Sequence, residues 1–124
     1  MIDLLFALAV SIDAQAFPIC DEGKRVTCVV DGDTFWHDRI KYRLADIDAP
    51  ETRNPRCAAD AKLGRAATYR LAALLSAGSF KLQDQGADRY GRTLATVTRG
   101  GRSIGEQLVS EGLARRWGDR RGWC

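Results

Sequence analysis

Three successive segments between positions 24 and 45 read with a period of two before any helical stripe begins, and this order constrains the fold more than any other feature. Residues 24–30 set Val26, Cys28 and Val30 against Thr27 and Val29, and Asp31-Gly32 supplies a turn. Residues 34–37 are rich in aromatic and β-branched side chains, Asp38-Arg39 is a tight connection, and Ile40, Tyr42 and Leu44 then alternate with Lys41, Arg43 and Ala45. That alternation predicts Arg43 on the polar face of its strand, opposite the core. Pro50 and Pro55 block a helix over residues 46–55 and leave a structured, carboxylate-rich loop. Leu63, Ala67, Leu71 and Leu74 then give one apolar helical stripe, with Gly78 placed to end it. Residues 79–83 and 92–99 read as two further strands, the second leaving through Gly100-Gly101. Ser103-x-x-Glu106 is a capping box that opens a second helix, with Ile104, Leu108 and Val109 inward and Gly112 at its end.

The order is three strands, a helix, two strands and a helix. Runs of strands exclude a βαβ sheet. A mainly β chain with helices, in which one helix follows the third of five strands and a second follows the fifth, points to a five-stranded oligonucleotide/oligosaccharide-binding (OB-fold-type) barrel of the α+β class. At 124 residues, 45% apolar, the chain has material for one core and one domain.

Residues 1–16 combine an apolar run at 4–10 with Ala14-Gln15-Ala16, the small-x-small pattern of a cleavage site, and read as a signal peptide ahead of a domain at 17–124. The run is too short to span a bilayer. Asp3, Asp13 and the lack of a base before the run leave an ordinary core helix as the alternative. Export to the periplasm or outside the cell agrees with four cysteines, Cys20, Cys28, Cys57 and Cys124, all beyond residue 16. With no C-x-x-C and His37 as the only histidine, a zinc site is disfavoured and two disulfides are expected. Of the three possible connectivities, the turn at Asp21-Glu22-Gly23 favours Cys20–Cys28, which leaves Cys57–Cys124 to staple the C-terminus. The charge of +3 suits polyanions without deciding anything. A monomer is expected.

Five carboxylates, Asp31, Asp33, Asp46, Asp48 and Glu51, fall within the meander and its exit loop. If they converge, either their pKa values rise or a cation neutralises them, and hard oxygen ligands favour Ca2+ or Mg2+. Alone, Asp31-Gly32-Asp33 is a hairpin turn and the rest a solvated loop. The arginines change the balance: Arg43, and Arg89 and Arg92 in Asp88-Arg89-Tyr90-Gly91-Arg92, are planar cations suited to the charge of a five-coordinate phosphorus. Taken singly, each arginine is ordinary surface. A lone histidine excludes nucleases built on histidine clusters or pairs, and neither a Gly-rich phosphate loop nor a Ser/His/Asp set is present.

Val30-Asp31-Gly32-Asp33-Thr34, Arg43-Leu44, Ile47-Asp48-Ala49-Pro50-Glu51-Thr52, Asp88-Arg89-Tyr90-Gly91-Arg92, Leu94-Ala95 and Leu108-Val109-x-x-Gly112-Leu113-Ala114 resemble the motif series of the staphylococcal nuclease-like (thermonuclease) family, in order, over about residues 24–117. The resemblance implies the OB-type barrel and hydrolysis of single-stranded or frayed DNA and RNA by metal-activated water. It implies Asp33, Asp48 and the main-chain carbonyl of Ala49 as Ca2+ ligands, with Asp31 just outside them. Glu51 is implied as general base, Arg43 and Arg92 as clamps on the scissile phosphate, and Tyr90 and Arg89 as contacts to a neighbouring phosphate. Ala49 stands where some members carry Thr, and Gly118 occupies one place of the base-stacking tyrosines, for which Trp117 or Trp123 could substitute. The competing expectation is a non-catalytic barrel of the same type that binds nucleic acid or protein. Such copies usually lose the acids or the arginines, and here they are all present. A disulfide-stapled structural module would leave that pattern without a cause.

Overall fold

The computed structural model describes residues 9–124; the first eight residues of the expected leader lie outside them. The period-two segments become β2 (Cys28–Asp31), β3 (Thr34–His37) and β4 (Ile40–Leu44), an antiparallel meander. Asp38 and Arg39 both take positive φ, 50° and 71°, which matches the twist of a two-residue hairpin. Phe35 and Tyr42 lie directly opposite on β3 and β4 and stack with centroids 5.4 Å apart. The first strand starts at Cys28 rather than residue 24, because residues 20–28 are closed into a loop by the Cys20–Cys28 disulfide.

Beyond a short β5 (Ile47–Asp48), helix α1 (Ala58–Ser76) leads to β6 (Phe80–Ala87) and β7 (Thr93–Arg99). Then come β8 (Arg102–Ser103), α2 (Ile104–Ser110) and β9 (Arg115–Arg116). With β1 (Val10–Ile12) the main sheet runs β1-β6-β7-β4-β3-β2, and β8 adds to β7. All of its pairings are antiparallel except β4 with β7, which brings Arg43 level with Leu94. The mixed sheet curls into a half-barrel covered by the two helices, the OB-type α+β architecture expected. The short strands β1, β5, β8 and β9 are additions to the five anticipated. They carry two or three residues each, too few to show a period.

The core is Val29, Phe35, Leu44 and Ile47 from the sheets, Leu71 and Leu75 from α1 and Leu108 from α2, all fully buried. The buried face of α1 also takes in Gly64, Ala67 and Thr68, while Leu63 and Leu74 are only partly covered, so the stripe is turned from the one expected. Small residues are needed because the meander presses on the helix: a Cβ on Gly32 would lie 2.6 Å from that of Ala67. Helix α1 ends on Ala77 rather than Gly78, and Arg99 caps it by donating to the carbonyls of Leu74, Gly78 and Ser79. Ser103 caps α2 by accepting from the Glu106 amide at 3.0 Å, as the box predicts. The reciprocal half is not made, since the Glu106 carboxylate pairs with Arg116.

Val10–Ile12, within the expected leader, pairs with β6; Ile12 is buried, and Phe17 packs on Phe35 and Phe80. Among the described residues no helix is long and apolar enough to cross a membrane. Both expected disulfides are present, Cys20–Cys28 and Cys57–Cys124. The first spans a sequence separation of 8 and the second 67. Chain-entropy restriction of the unfolded state then ranks them, at about 2.5 and about 4.5 kcal/mol. Urea unfolding should show Cys57→Ser/Cys124→Ser losing more stability than Cys20→Ser/Cys28→Ser, and the reverse order would refute the ranking.

Candidate active site

The β2–β3 turn and the loop leaving β4 are locked together by Asp33. Its Oδ1 accepts from the Thr34 hydroxyl at 2.9 Å and its Oδ2 from the Ala49 amide at 3.0 Å, so a buried carboxylate fixes the loop that carries Asp48 and Glu51. Asp31 accepts at long range from the Asp33 amide, 3.4 Å. Arg43 is more buried than its place on the polar face of the strand suggests. It leaves β4 on the side away from Tyr42 and Leu44, yet it is only 7% exposed. Its Nη1 donates to the carbonyls of Leu44 and Ile47, its Nη2 lies 3.1 Å from Asp48 and 3.4 Å from Asp33, and its guanidinium sits 5.2 Å from the Trp117 ring centre. Alternation reports which side of a sheet a residue leaves. It is silent on the loop and tail that cover that side here.

Glu51 is exposed at the rim, immediately after buried Pro50. The backbone there rests on α1 at Gly64, where a Cβ would lie 2.8 Å from the Glu51 carbonyl oxygen. Arg92 enters β7 from a turn built on Asp88, whose Oδ1 accepts the amides of Tyr90 and Arg92 and whose Oδ2 takes Arg92 Nε at 2.7 Å. Those bonds hold the Asp88 carboxyl below its ordinary range, against the opposing effect of desolvation. The terminal nitrogens of Arg92 have no hydrogen-bond partner among the described residues.

Asp31, Asp33, Arg43, Asp48, Glu51 and Arg92 thus line one cavity of about 370 Å³, and Ala49 joins it through its bond to Asp33. Arg43 and Arg92 also line a second cavity of about 490 Å³ with Arg89, Tyr90, Leu94 and Trp117. Tyr90 and Trp117 are 69% and 67% exposed, and Arg89 and Arg92 lie over the Tyr90 ring. Trp123, the other candidate for stacking, is away from this site, over Arg115. The sequence reading missed Arg25, Lys41, Thr52 and Arg53 on the first cavity, and the anchoring by Asp88 and Gly64. The Asp88-x-x-Gly91 turn chemistry was the available signal for one of these; the close approach at Gly64 leaves none.

Burial, then Asp33, pushes the Asp31 carboxyl up to about 8. Burial, then Asp33, also raises Asp48 despite Arg43, and burial followed by Asp33 and Asp48 raises Glu51. Four carboxylates here exceed what one paired guanidinium neutralises, which fits a hard cation. Among the described residues no group of three acidic, His or Cys side chains is gathered closely enough to hold an ion alone. Two carboxylates, a main-chain carbonyl and water make an oxygen set that Ca2+ accepts. Because the folded Asp31 binds its proton more tightly than the unfolded chain does, stability without divalent cations should fall as pH rises from about 4 toward about 8. Urea midpoints across that window should decline, and Asp31→Asn should flatten the decline; an unchanged slope would show that Asp31 is not its source.

A family model described as Staphylococcal nuclease homologue matches residues 41–121, which include Arg43, Asp48, Glu51 and Arg92 but begin after Asp33. Endonuclease YncB of Bacillus subtilis (strain 168) is 38% identical over 95 residues, 69% of this chain and 44% of the relative. Thermonuclease of Staphylococcus hyicus is 36% identical over 97 residues, covering 73% and 57%. Micrococcal nuclease of Shigella flexneri is 35% identical over 120 residues, covering 86% and 63%. In each case the chain spans less than two thirds of the relative.

Proposed function

The chain belongs to the staphylococcal nuclease family, and from that membership we propose that it is a Ca2+-dependent nuclease that hydrolyses phosphodiester bonds of DNA and RNA. The observation that carries this reading is the single cavity in which four carboxylates meet Arg43 and Arg92. A folded turn alone would have no reason to hold both.

Asp33 and Asp48, with the carbonyl of Ala49, are the proposed ligands, and Asp31 lies just outside them on the same cavity. Bound there, Ca2+ would supply polarisation of a phosphoryl oxygen and a more acidic water. Glu51, at the exposed rim, accepts the proton of the attacking water; its raised pKa brings it closer to neutrality, where a general base works best. Arg92 presents its terminal N–H groups to the scissile phosphate, and Asp88 fixes its direction. Arg43 faces the same phosphate from a guanidinium already immobilised by two carbonyls and two carboxylates, so little order is lost when the charge develops. Tyr90 and Arg89 hold a neighbouring phosphate, and Trp117 offers an aromatic face to a base. Contacts dominated by phosphate carry little sequence information, hence the breadth of substrate, single-stranded or frayed.

Export belongs to the same proposal. Two disulfides suit an oxidising compartment, and cleavage after Ala16 would remove β1 and uncover the edge of β6.

Glu51→Gln should lower kcat on single-stranded DNA by about 10²–10⁴-fold with an unchanged urea midpoint. Arg92→Ala should cost about 10²–10³-fold. Retained activity in a purified Glu51→Gln protein removes Glu51 from the mechanism. Chelator should abolish cleavage of both DNA and RNA, and added Ca2+ should restore it. Binding of an oligonucleotide without cleavage under any metal identifies a non-catalytic barrel instead.

A further inference from the structure

We propose that the disulfide-closed loop from Cys20 to Cys28 is a second phosphate-binding arm, in which Arg25 holds the phosphate next to the scissile one, on the side away from Tyr90. The inference rests on the nuclease reading and adds a subsite to it. Arg25 and Cys20 line the carboxylate cavity, whereas Tyr90 and Trp117 line the other one, and Arg43 and Arg92 form the wall common to both. A strand whose scissile phosphate sits at that wall therefore extends toward Trp117 in one direction and toward Arg25 in the other.

Arg25 has no ion pair or hydrogen bond among the described residues, although acids line the same cavity. It makes no ion pair with those carboxylates and braces no other residue, so its guanidinium remains available to an anion. The loop that carries it is fixed at several points. The disulfide closes it, the Cys20 amide donates to the Val29 carbonyl at 2.9 Å, the Val26 carbonyl accepts from the Arg39 amide at 2.9 Å, and the Thr27 hydroxyl accepts from the Asp38 amide at 3.1 Å. Arg25 lies one residue from one of these anchors, so a phosphate meets a cation whose backbone is already ordered. Lys41 lines the same cavity as Arg25, two residues along β4 from Arg43, and extends the basic track.

The test is binding of thymidine oligonucleotides of two and eight residues by the full oxidised chain. Dissociation constants are measured in the Glu51→Gln background with Ca2+, and cleavage in the active background. Arg25→Ala should weaken octamer binding about fivefold, as loss of one charged contact does, with a far smaller effect on the dinucleotide, which has no phosphate to place there. The slope of log affinity against log salt for the octamer should flatten by about 0.7. The loss should fall on KM rather than kcat, Arg25→Lys should recover most of it, and the thermal midpoint should hold. Equal losses at both lengths, an unchanged octamer affinity, or a fall confined to kcat would each overturn the arm while the nuclease reading stands. A parent protein that neither binds nor cleaves either oligonucleotide overturns both.

Discussion

A buried guanidinium has to be satisfied on nearly every side, and the arrangement around Arg43 follows from that requirement. Removed from water, its charge costs several kcal/mol unless carbonyls and carboxylates surround it. The chain answers with the carbonyls of Leu44 and Ile47 and the carboxylates of Asp33 and Asp48. To deliver them, the exit loop must double back over β4, which explains why Asp33 also grips the Ala49 amide and why β9, just before Trp117, pairs with β5. The proposed metal ligands and the proposed phosphate clamp are thus one bonded unit. A change in any member moves the others.

The two flanks of that unit use opposite electrostatics. On the acid side, burial and mutual repulsion raise Asp31, Asp48 and Glu51, a balance that a bound cation would relieve. On the arginine side, Asp88 accepts two amides and a guanidinium edge and is stabilised as the anion. Asp31 and Glu51 form no ion pair among the described residues, while Asp88 is consumed in aiming Arg92. The difference is local backbone geometry, a surface turn against a covered loop.

The parts of this fold that repeat over several residues were legible in the chain. The meander of β2, β3 and β4, the helix after the prolines and the Ser103 cap all follow from period, turn chemistry and capping within a short window. The candidate site residues read as a motif series, and six of them line one cavity. What escaped depends on segments distant in sequence. Arg43 reads as a surface strand residue until Trp117 and the exit loop arrive. Arg99 reads as a strand end and is a helix cap; Gly64 reads as a weak helix position and is the seat of the Glu51 backbone. The short strands β1, β5 and β9 exist only because a neighbour offers an edge.

The parallel pairing of β4 with β7 has a consequence in time. It sets Arg43 beside Leu94, so Arg43 and Arg92 come to line one cavity only after the whole of α1 and β6 has been made and docked. Contacts this distant in sequence close slowly and pay their loop entropy before any reward. During vectorial synthesis, a chain released up to the middle of α1 holds Asp31, Asp33, Asp48, Glu51 and Arg43 with no Arg92 opposite. Completion of the arginine pair is therefore tied to closure of the sheet as a whole, and a partly made chain lacks it.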